Sequence, residues 1–328
     1  MNVLVVGGAG YIGSHMVQLL VQQGHHVVVL DNLSTGYAPA VTAGKLIVGD
    51  IKDQQATEKI LQEYAIEAVM HFAACALVGE SVTDPAKYYQ NNVVATLNLL
   101  DAMRACEVKK FVFSSTCATY GIPEIMPITE KAIQQPVNPY GFTKLAIENA
   151  LRDYAKAYGL GYAALRYFNA AGAASDGSIG EDHNPESHLI PIVLQVALGQ
   201  RKSISIYGDD YPTTDGTCIR DYIHVHDLGL AHLAALERIE TGQGIELNLG
   251  TGVGHSVREV IDVCREVTGH AIPEFMGKRR DGDPPELVAD ASLAQQTLGW
   301  SPSMPELKQI IESAWNWHRR NPTGYGKN

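Results

Sequence analysis

The sequence predicts an α/β protein, with a Rossmann-type, doubly wound parallel sheet followed by a smaller α/β C-terminal domain. Three observations support this fold class. Short apolar, β-branched runs such as residues 3–6 and 27–30 are typical of strands buried on both faces. The first run leads directly into a glycine-rich turn, and the turn leads into an amphipathic helical pattern. A chain of 328 residues is long enough for one large domain or two smaller ones.

Composition excludes several function classes. The formal net charge of −11 argues against a nucleic-acid partner. No apolar run is long enough to cross a bilayer, and the N-terminus carries no secretion signal, so we expect no membrane partner. The five cysteines are scattered and include no CxxC pair. A disulfide framework or a zinc site is therefore not favoured, and no metal is expected. These features together predict a cytoplasmic protein.

The first strand, residues 3–6, is followed by the segment from Gly7 to Gly13, in which Gly7, Gly10 and Gly13 form a GxxGxxG pattern. The helix that follows includes Tyr11 and Ile12 and should end before Gly24. Glycines permit a tight turn and a close approach of the backbone, and the helix N-terminus can receive a diphosphate. A plain loop is the alternative for a glycine pattern, but this context favours a dinucleotide site.

The second strand, residues 26–30, ends at Asp31. A carboxylate at this place accepts hydrogen bonds from the adenosine ribose and repels a 2′-phosphate. The next residues, 32–34, contain no arginine to bind such a phosphate. The sequence therefore favours NAD over NADP, although Asp31 could instead be an ordinary turn residue at the end of a strand.

Strands three and four are predicted at residues 46–50 and 68–74. Asp50 could accept a hydrogen bond from the adenine amino group, and the small Ala73 and Ala74 after Phe72 would let the backbone approach a ligand. A long helix should then run from Pro85 to about Cys106. Its apolar face could pack against the sheet or against a partner subunit.

Strand five, residues 110–113, leads into Ser114, Ser115 and Thr116. These hydroxyls follow the carboxyl end of a strand, which is where α/β sheets place their ligands. Serines at such a position are more often turn formers, so this signal is weak by itself.

Tyr140 and Lys144 are the candidate catalytic pair. Asn138 is a good N-cap and Pro139 a good first helical residue, so a helix should begin here. Four residues apart, Tyr140 and Lys144 would lie on the same helix face. A nearby lysine charge should lower the tyrosine pKa and favour a phenolate, which can take a proton from an alcohol while a hydride leaves the same carbon. An ordinary helix with a half-buried tyrosine is the alternative.

Taken together, these motifs resemble the extended short-chain dehydrogenase/reductase family, and within it the UDP-glucose 4-epimerase family. The resemblance extends in order over nearly the whole chain. Its more specific motifs lie in the C-terminal half: residues 165–169, 208–213, 220–225, 248–252 and 279–283.

The resemblance implies a reaction. It is the reversible interconversion of UDP-galactose and UDP-glucose in galactose metabolism, by inversion at carbon 4 through a 4-keto intermediate and transient NADH. It further implies a tightly bound NAD, a UDP-sugar substrate and a homodimer, formed through the helices at residues 84–106 and 140–158. Residues 1–169 would form the NAD-binding domain and residues 170–328 the UDP-sugar-binding domain, with the chain returning to the first domain around residues 220–250.

The resemblance also implies roles for individual residues. Tyr140 would be the base, Lys144 its electrostatic partner and a ligand of the nicotinamide ribose, and Thr116 would lie beside the sugar 4-hydroxyl. The positions expected to bind NAD are Gly7, Gly10, Tyr11, Ile12, Gly13, Asp31, Asn32, Asp50, Ile51, Phe72, Ala73, Ala74, Asn91, Ser114, Tyr140, Lys144 and Tyr167. The positions expected to bind the UDP-sugar are Thr116, Tyr140, Phe168, Asn169, His188, Leu189, Tyr207, Arg220, Arg280 and Asp283.

Three departures from the family pattern affect these expectations. Ala76 replaces a lysine that some members carry near the cofactor diphosphate. His188 stands where some members have an asparagine, and it either replaces that residue beside the diphosphate or belongs to a surface turn. Leu287 replaces a tyrosine that walls the sugar pocket in some members. The smaller side chain would leave room for a 2-N-acetyl group, so tolerance of UDP-N-acetylhexosamines is a hypothesis.

The second half of the chain adds further expectations. Residues 170–187 should form a long loop at a domain crossing, followed by a helix from Leu189. Arg220 and Arg280 could clamp the UDP diphosphate, because guanidinium groups match phosphate oxygens; surface salt bridges are the alternative. His224 and His226 should alternate along a strand as structural histidines. Tyr325 and its neighbours should form a frayed tail.

Three other functions remain as alternatives. A nucleotide-sugar 4,6-dehydratase would need an Asp-Glu pair after the strand-five threonine, where this chain has Cys117 and Ala118. A simple NAD-dependent dehydrogenase would exchange its cofactor rapidly. A non-enzymatic NAD-sensing regulator would have no reason to retain both Tyr140 and Lys144.

Overall fold

The structure is a computed structural model that describes residues 1–280 and 282–326. Its strands are β1 (Asn2–Val6), β2 (His26–Asp31), β3 (Lys45–Val48), β4 (Ala68–His71), β5 (Lys110–Thr116), β6 (Gly161–Tyr167), β7 (Asn169–Ala171), β8 (Ile204–Tyr207), β9 (Ile219–His224), β10 (Gly244–Leu249), β11 (Gly254–Ser256), β12 (Glu274–Gly277) and β13 (Glu286–Leu287). Its α-helices are α1 (Tyr11–Gln22), α2 (Gln54–Glu63), α3 (Val78–Thr83), α4 (Pro85–Tyr88), α5 (Ala95–Ala105), α6 (Pro139–Tyr158), α7 (Leu189–Ala197), α8 (Val225–Arg238), α9 (Val257–Thr268), α10 (Ser292–Leu298) and α11 (Leu307–Arg320).

A seven-stranded parallel sheet forms the larger part of the molecule, in the order β10-β6-β5-β4-β1-β2-β3. Helices cover both faces. Val3 and Val5 of β1 belong to one apolar cluster, and Leu4 and Val6 belong to the cluster on the opposite face. The strand order reverses between β1 and β4, and open α/β sheets bind ligands at such a switch point. The predicted Rossmann-type sheet is confirmed.

The chain contributes to this sheet from both of its halves. Strand β10 pairs in register with β6 at the edge of the large sheet, and α8 and α10 pack into one of its apolar clusters. A smaller layer contains β7, β9, β11 and β13 in one sheet and the pair β8–β12 in another. Helices α7, α9 and α11 surround this layer in a separate apolar cluster.

The long helix predicted from Pro85 to Cys106 is interrupted. Helices α4 and α5 are joined by a wide π-helical segment, Tyr89–Val94. Asn92 in this segment is buried, accepts a hydrogen bond from the Cys75 amide at 2.8 Å and donates to the Thr143 hydroxyl at 3.0 Å. The apolar face predicted for the helix is buried within the chain: Tyr88, Ala95, Leu99 and Met103 are all 1 % exposed or less.

Two local predictions are wrong. His226 does not continue the strand; it lies in α8, and its amide donates to the Nδ1 of His224, which caps that helix. Tyr325 is not frayed, because its ring packs against Trp317 and its hydroxyl accepts from the Gly180 amide at 2.9 Å. No helix of the described residues combines the length and apolarity needed to span a bilayer.

Candidate active site

The glycine turn between β1 and α1 has no room for side chains. Gly7 has a φ of +79°, and a Cβ there would lie 2.4 Å from the Ala73 amide nitrogen. A Cβ on Gly13 would lie 2.2 Å from the Gly7 carbonyl oxygen. Within the described structure, α1 begins after Gly10 with neither a side-chain cap nor an acidic residue in its first turn. Its N-terminal amides and their partial positive charge are therefore available to an anion such as a cofactor diphosphate.

Acidic and amide side chains gather where β2 and β3 end. Asp31 is 8 % exposed, and its carboxylate accepts hydrogen bonds from the Ala9 amide at 2.9 Å and the Leu33 amide at 2.8 Å. Asn32 donates to Asp50 at 3.0 Å. Asp31 thus attaches the glycine turn to the end of β2, and the three predicted side chains lie on the same side of the switch point.

The end of β4 borders the same turn. The amides of Phe72 and Ala73 both donate to the Val6 carbonyl, at 2.8 and 3.2 Å. Asn91 donates to the neighbouring Asn92 at 3.3 Å. Ile51 is buried in the adjoining apolar cluster. Tyr11 crosses to the second half of the chain, where its hydroxyl donates to the Gly172 carbonyl at 2.7 Å.

Helix α6 brings Tyr140 and Lys144 to the end of β5. The helix is capped by Asn138, whose side chain accepts from the Gly141 amide at 2.9 Å. Lys144 is 3 % exposed, and its Nζ donates to the Ser114 carbonyl at 2.7 Å. The same Nζ lies 6.0 Å from the centroid of the Tyr140 ring. Tyr140 as a whole residue is half-buried.

The electrostatics of this pair differ from the prediction. Burial raises the pKa of Tyr140 well above its ordinary value, and the neighbouring Tyr167 adds to this, whereas a hydrogen bond with Thr116 opposes it. Burial also lowers the pKa of Lys144 to about 7, against the attraction of Glu148. In the chain without a bound ligand, the Tyr140 pKa is therefore not lowered as predicted. The reason is that desolvation of the phenol outweighs the effect of a charge held several ångströms from the ring.

The hydroxyls predicted after β5 belong to the strand itself rather than to a turn. Ser114 forms a hydrogen bond with the hydroxyl of Tyr167, whose pKa burial raises to about 12. Ser115 points the other way and donates to Glu148 at 2.6 Å. Thr116 is 8 % exposed and accepts from the Ala118 amide at 3.1 Å. Ser114 and Thr116 therefore face the Tyr140 side, as strand alternation requires.

Two arginines of the smaller layer have different partners. Arg220 on β9 forms an ion pair with Asp283, and the two side chains are 14 and 27 % exposed. The guanidinium of Arg280 lies 4.0 Å from the centroid of the Tyr207 ring. The predicted motif also includes Asp281, which lies outside the described residues. Because Arg220 and Asp283 are half-buried, their pair is not a fully exposed surface salt bridge.

The smaller layer meets the end of β5 at Cys117. Burial raises the pKa of Cys117 to about 12, and the charge of Arg220 opposes this rise. Cys117 also packs with Phe168 and Leu287 in a small apolar cluster. Arg220, Phe168 and Leu287 therefore border the strand end that carries Thr116. Asn169 begins β7, directly after Phe168.

Leu189 and His188 start the next helix. Leu189 is the first residue of α7 and packs against the core of the smaller layer. His188 turns toward two glutamates of the preceding loop, with its Nδ1 2.8 Å from a Glu181 oxygen. His188 is exposed, as the surface-turn alternative expects, but two buried carboxylates hold its ring.

Sequence reasoning missed Glu148, which lies one helical turn after Lys144 and is fully buried. It forms ion pairs with Arg166 beneath the site, at 2.6 Å. The available signal was the repeat of polar residues at 140, 144 and 148 on one helix face.

Comparisons with known proteins agree with this arrangement. The model of the NAD dependent epimerase/dehydratase family matches residues 3–250. A UDP-glucose 4-epimerase of Halalkalibacterium halodurans is 56% identical and covers 99% of this chain, which covers 98% of it. The UDP-glucose 4-epimerase of Brucella ovis, solved in complex with NAD, is 53% identical with a TM-score of 0.93, over 96% of this chain and 98% of that one.

A third similar protein is the UDP-Glc/GlcNAc 4-epimerase of Campylobacter jejuni, 41% identical with a TM-score of 0.85 over 97% of this chain and 99% of that one. The similarity in sequence and in structure thus extends over both layers and includes the glycine turn and the Tyr140–Lys144 helix. The chain belongs to the NAD dependent epimerase/dehydratase family, and it is similar over its whole length to UDP-glucose 4-epimerases.

Proposed function

We propose that this protein interconverts UDP-galactose and UDP-glucose reversibly, by inverting the configuration at carbon 4 of the sugar. One observation carries the proposal: Tyr140 and Lys144 stand at the end of β5, where Arg220 approaches from the smaller layer. A base and a diphosphate-binding group therefore border the same space. The family and the similarity to UDP-glucose 4-epimerases support the same reaction.

NAD is the cofactor of this reaction, and the chain fits it. The glycine turn is packed too tightly for a Cβ at Gly7 or Gly13, which lets the backbone approach the diphosphate, and α1 presents an uncapped N-terminus. Asp31 would accept from the adenosine ribose, and Lys144 would hold the nicotinamide ribose, together with the other NAD positions predicted from the sequence. When bound, oxidised NAD supplies the hydride acceptor for carbon 4 and a positive ring that favours the Tyr140 phenolate.

Tyr140 is the proposed base. Because burial raises its pKa, the neutral phenol is favoured until positive charge is close by. Once ionised, its oxygen would take the proton of the sugar 4-hydroxyl as a hydride leaves carbon 4. After the sugar has turned, the phenol would return the proton to the carbon-4 oxygen as the hydride is added to the opposite face of carbon 4. Thr116, whose hydroxyl bonds with Tyr140, orients or relays this proton. Lys144 is fixed by the Ser114 carbonyl, and its protonated form would place a positive charge near the phenolate.

The smaller layer would hold UDP while the sugar turns. Arg220 and Arg280 are the proposed diphosphate ligands, because their guanidinium groups match phosphate oxygens. The ion pair with Asp283 and the packing against Tyr207 keep the two groups oriented. Binding energy placed on UDP leaves the sugar free to present either face of carbon 4 to the cofactor.

One feature distinguishes this reaction from that of a dehydratase. A dehydratase needs a second acid and base, whereas Cys117 and Ala118 offer no carboxylate after Thr116.

Leu287 packs with Phe168 beside the strand end and leaves more space than a tyrosine would. We therefore propose that UDP-N-acetylhexosamines are also accepted, and Leu287→Tyr should reduce turnover of UDP-N-acetylglucosamine more than that of UDP-glucose.

We further propose a homodimer that acts in galactose metabolism in the cytoplasm. Exposed apolar side chains within residues 84–106 and 140–158, such as Tyr89, Phe142 and Tyr158, support a partner surface there. The NAD-binding domain would comprise residues 1–169 together with later segments of the chain that include α8 and β10. The rest of residues 170–328 would form the UDP-sugar-binding domain.

The test is incubation of purified protein with UDP-galactose without added nicotinamide, followed by chromatography of the products. We expect catalytic formation of UDP-glucose, abolished by Tyr140→Phe and retained by Tyr154→Phe. Tyr154 is a matched control on the same helix, where its hydroxyl bonds to Asp101 at 3.0 Å. A 4-keto-6-deoxy product would instead support a dehydratase, and a requirement for added NAD would contradict tight binding. No conversion with NAD present would refute the substrate assignment.

A further inference from the structure

Four side chains converge in the loop that joins β7 to α7. Glu181, His183, Glu186 and His188 each place one ligand atom within 4.8 Å of all the others. The Nδ1 of His188 lies 2.8 Å from Glu181 and 3.2 Å from Glu186. The Nδ1 of His183 lies 3.3 Å from Glu181 and 3.6 Å from Glu186. The arrangement is a closed ring of alternating nitrogen and oxygen atoms.

Three of the four separations, 3.2, 3.3 and 3.6 Å, are close to the edge of a coordination tetrahedron. Bonds of about 2.0–2.1 Å from zinc to nitrogen and oxygen give ligand–ligand edges of roughly 3.3 Å. Direct ion pairs draw nitrogen and oxygen to about 2.7–2.9 Å, a spacing that the His188–Glu181 contact alone of the four has. The Nδ1 of His183 is buried and makes no hydrogen bond within the described residues, although two carboxylates face it. An unpaired nitrogen between two carboxylates is aimed at a shared centre.

Charge balance at this centre is met either by a dication or by two protonated histidines. The side chains of Glu181 and Glu186 are each 4 % exposed, so two negative charges are held away from water. Two buried carboxylates need two positive charges nearby. We propose that Glu181, His183, Glu186 and His188 bind one Zn²⁺ ion in a closed, structural site. The dication neutralises both carboxylates, and any protons on the two imidazoles are released when it binds.

The site lies where the two layers of the molecule meet. The ring of His183 packs edge-on against Tyr11, directly after the glycine turn, at 6.2 Å between centroids. Asp182 accepts from the Tyr325 amide at 2.9 Å, so the same loop also holds the C-terminal segment. An ion here would fix the loop against the helix that receives the cofactor diphosphate, without touching the reacting atoms. Sequence reasoning searched for paired cysteines and missed the E-x-H-x-x-E-x-H spacing.

The experiment measures metal in the intact, NAD-loaded protein without an affinity tag. After dialysis against metal-free buffer, elemental analysis should find about one zinc per chain. His183→Gln with His188→Gln should lower this at least tenfold, and His270→Gln should leave it unchanged. His270 is a matched control because it is exposed and bonds to the Thr268 carbonyl rather than to a carboxylate. Retained NAD absorbance in the double variant would show that it is folded.

Cobalt substitution decides the case even where the double variant does not fold. The unaltered protein, stripped with a chelator and loaded with one equivalent of Co²⁺, should show the intense visible bands of tetrahedral cobalt. Its melting temperature should rise when Zn²⁺ is returned. If the stripped protein binds neither Zn²⁺ nor Co²⁺, the four side chains form an ion-free network of protonated histidines and carboxylates, and the proposal is refuted.

Discussion

Replacing Glu148 with glutamine tests whether its buried ion pair with Arg166 of β6 and its hydrogen bond from Ser115 of β5 fix helix α6 to the sheet. Glu148 is fully buried, and its carboxylate accepts from Ser115 at 2.6 Å and from two nitrogens of Arg166 at 2.9 and 2.6 Å. Ser115 lies between Ser114 and Thr116, and Lys144 lies one turn before Glu148. The pair therefore sets the distance between the proposed base and the strand-end hydroxyls.

The expected loss follows from the charge left behind. Glutamine keeps the shape of the side chain but removes the negative charge. The guanidinium of Arg166, 1 % exposed, then loses its fully buried carboxylate partner and keeps only the half-buried Glu246, at 2.6 Å. Breaking a buried ion pair from one side costs about 3–5 kcal/mol. We expect this loss in the free energy of unfolding, measured by urea denaturation at saturating NAD. Turnover should also fall, with little change in the KM for UDP-galactose, because the proposed UDP ligands lie in the other layer.

A control on the same network separates burial from charge alone. Arg152 pairs with Glu246 at 2.6 Å, but the two side chains are 36 and 22 % exposed. Arg152→Gln should therefore cost no more than about 1 kcal/mol. The double variant Glu148→Leu/Arg166→Met removes both charges and should recover much of the stability lost by Glu148→Gln. Equal costs for Glu148→Gln and Arg152→Gln would refute the reasoning.

Two further predictions concern the glycine turn and acid stability. Gly13→Ala should lose bound NAD, because the new Cβ would lie 2.2 Å from the Gly7 carbonyl oxygen. Gly79→Ala is the control and should keep NAD, because its Cβ would have no neighbouring atom within 4 Å. The NAD absorbance of the purified variants distinguishes the two. Burial, with the charge of Lys144, lowers the pKa of His71 from 6.5 to about 3. As pH falls below 6.5 the unfolded state therefore binds the proton first, and stability is lost by about 1.4 kcal/mol per pH unit. His71→Phe should reduce the slope of unfolding free energy between pH 6 and 4 by that amount, and an unchanged slope would contradict the burial argument.

Local sequence determined much of this protein. The apolar runs, the glycine spacing and the Asn138 cap fix β1, the turn and the start of α6, because each depends on backbone geometry within a few residues. The order of these signals also predicted the Rossmann-type sheet and NAD. The family resemblance extended the prediction to the reaction, through motifs of the C-terminal half such as residues 220–225 and 279–283.

Tertiary structure decided the properties that depend on burial and on distant partners. Whether Lys144 lowers the pKa of Tyr140 depends on desolvation and on the Ser114 carbonyl that holds its ammonium group. The same holds for Glu148, whose partner Arg166 lies on another strand, and for Tyr325, which is anchored by Gly180. The spacing between residues in the sequence predicts which of them share one face of a helix or strand. The charges and solvent around it come from segments far along the chain, and only the folded structure brings these together.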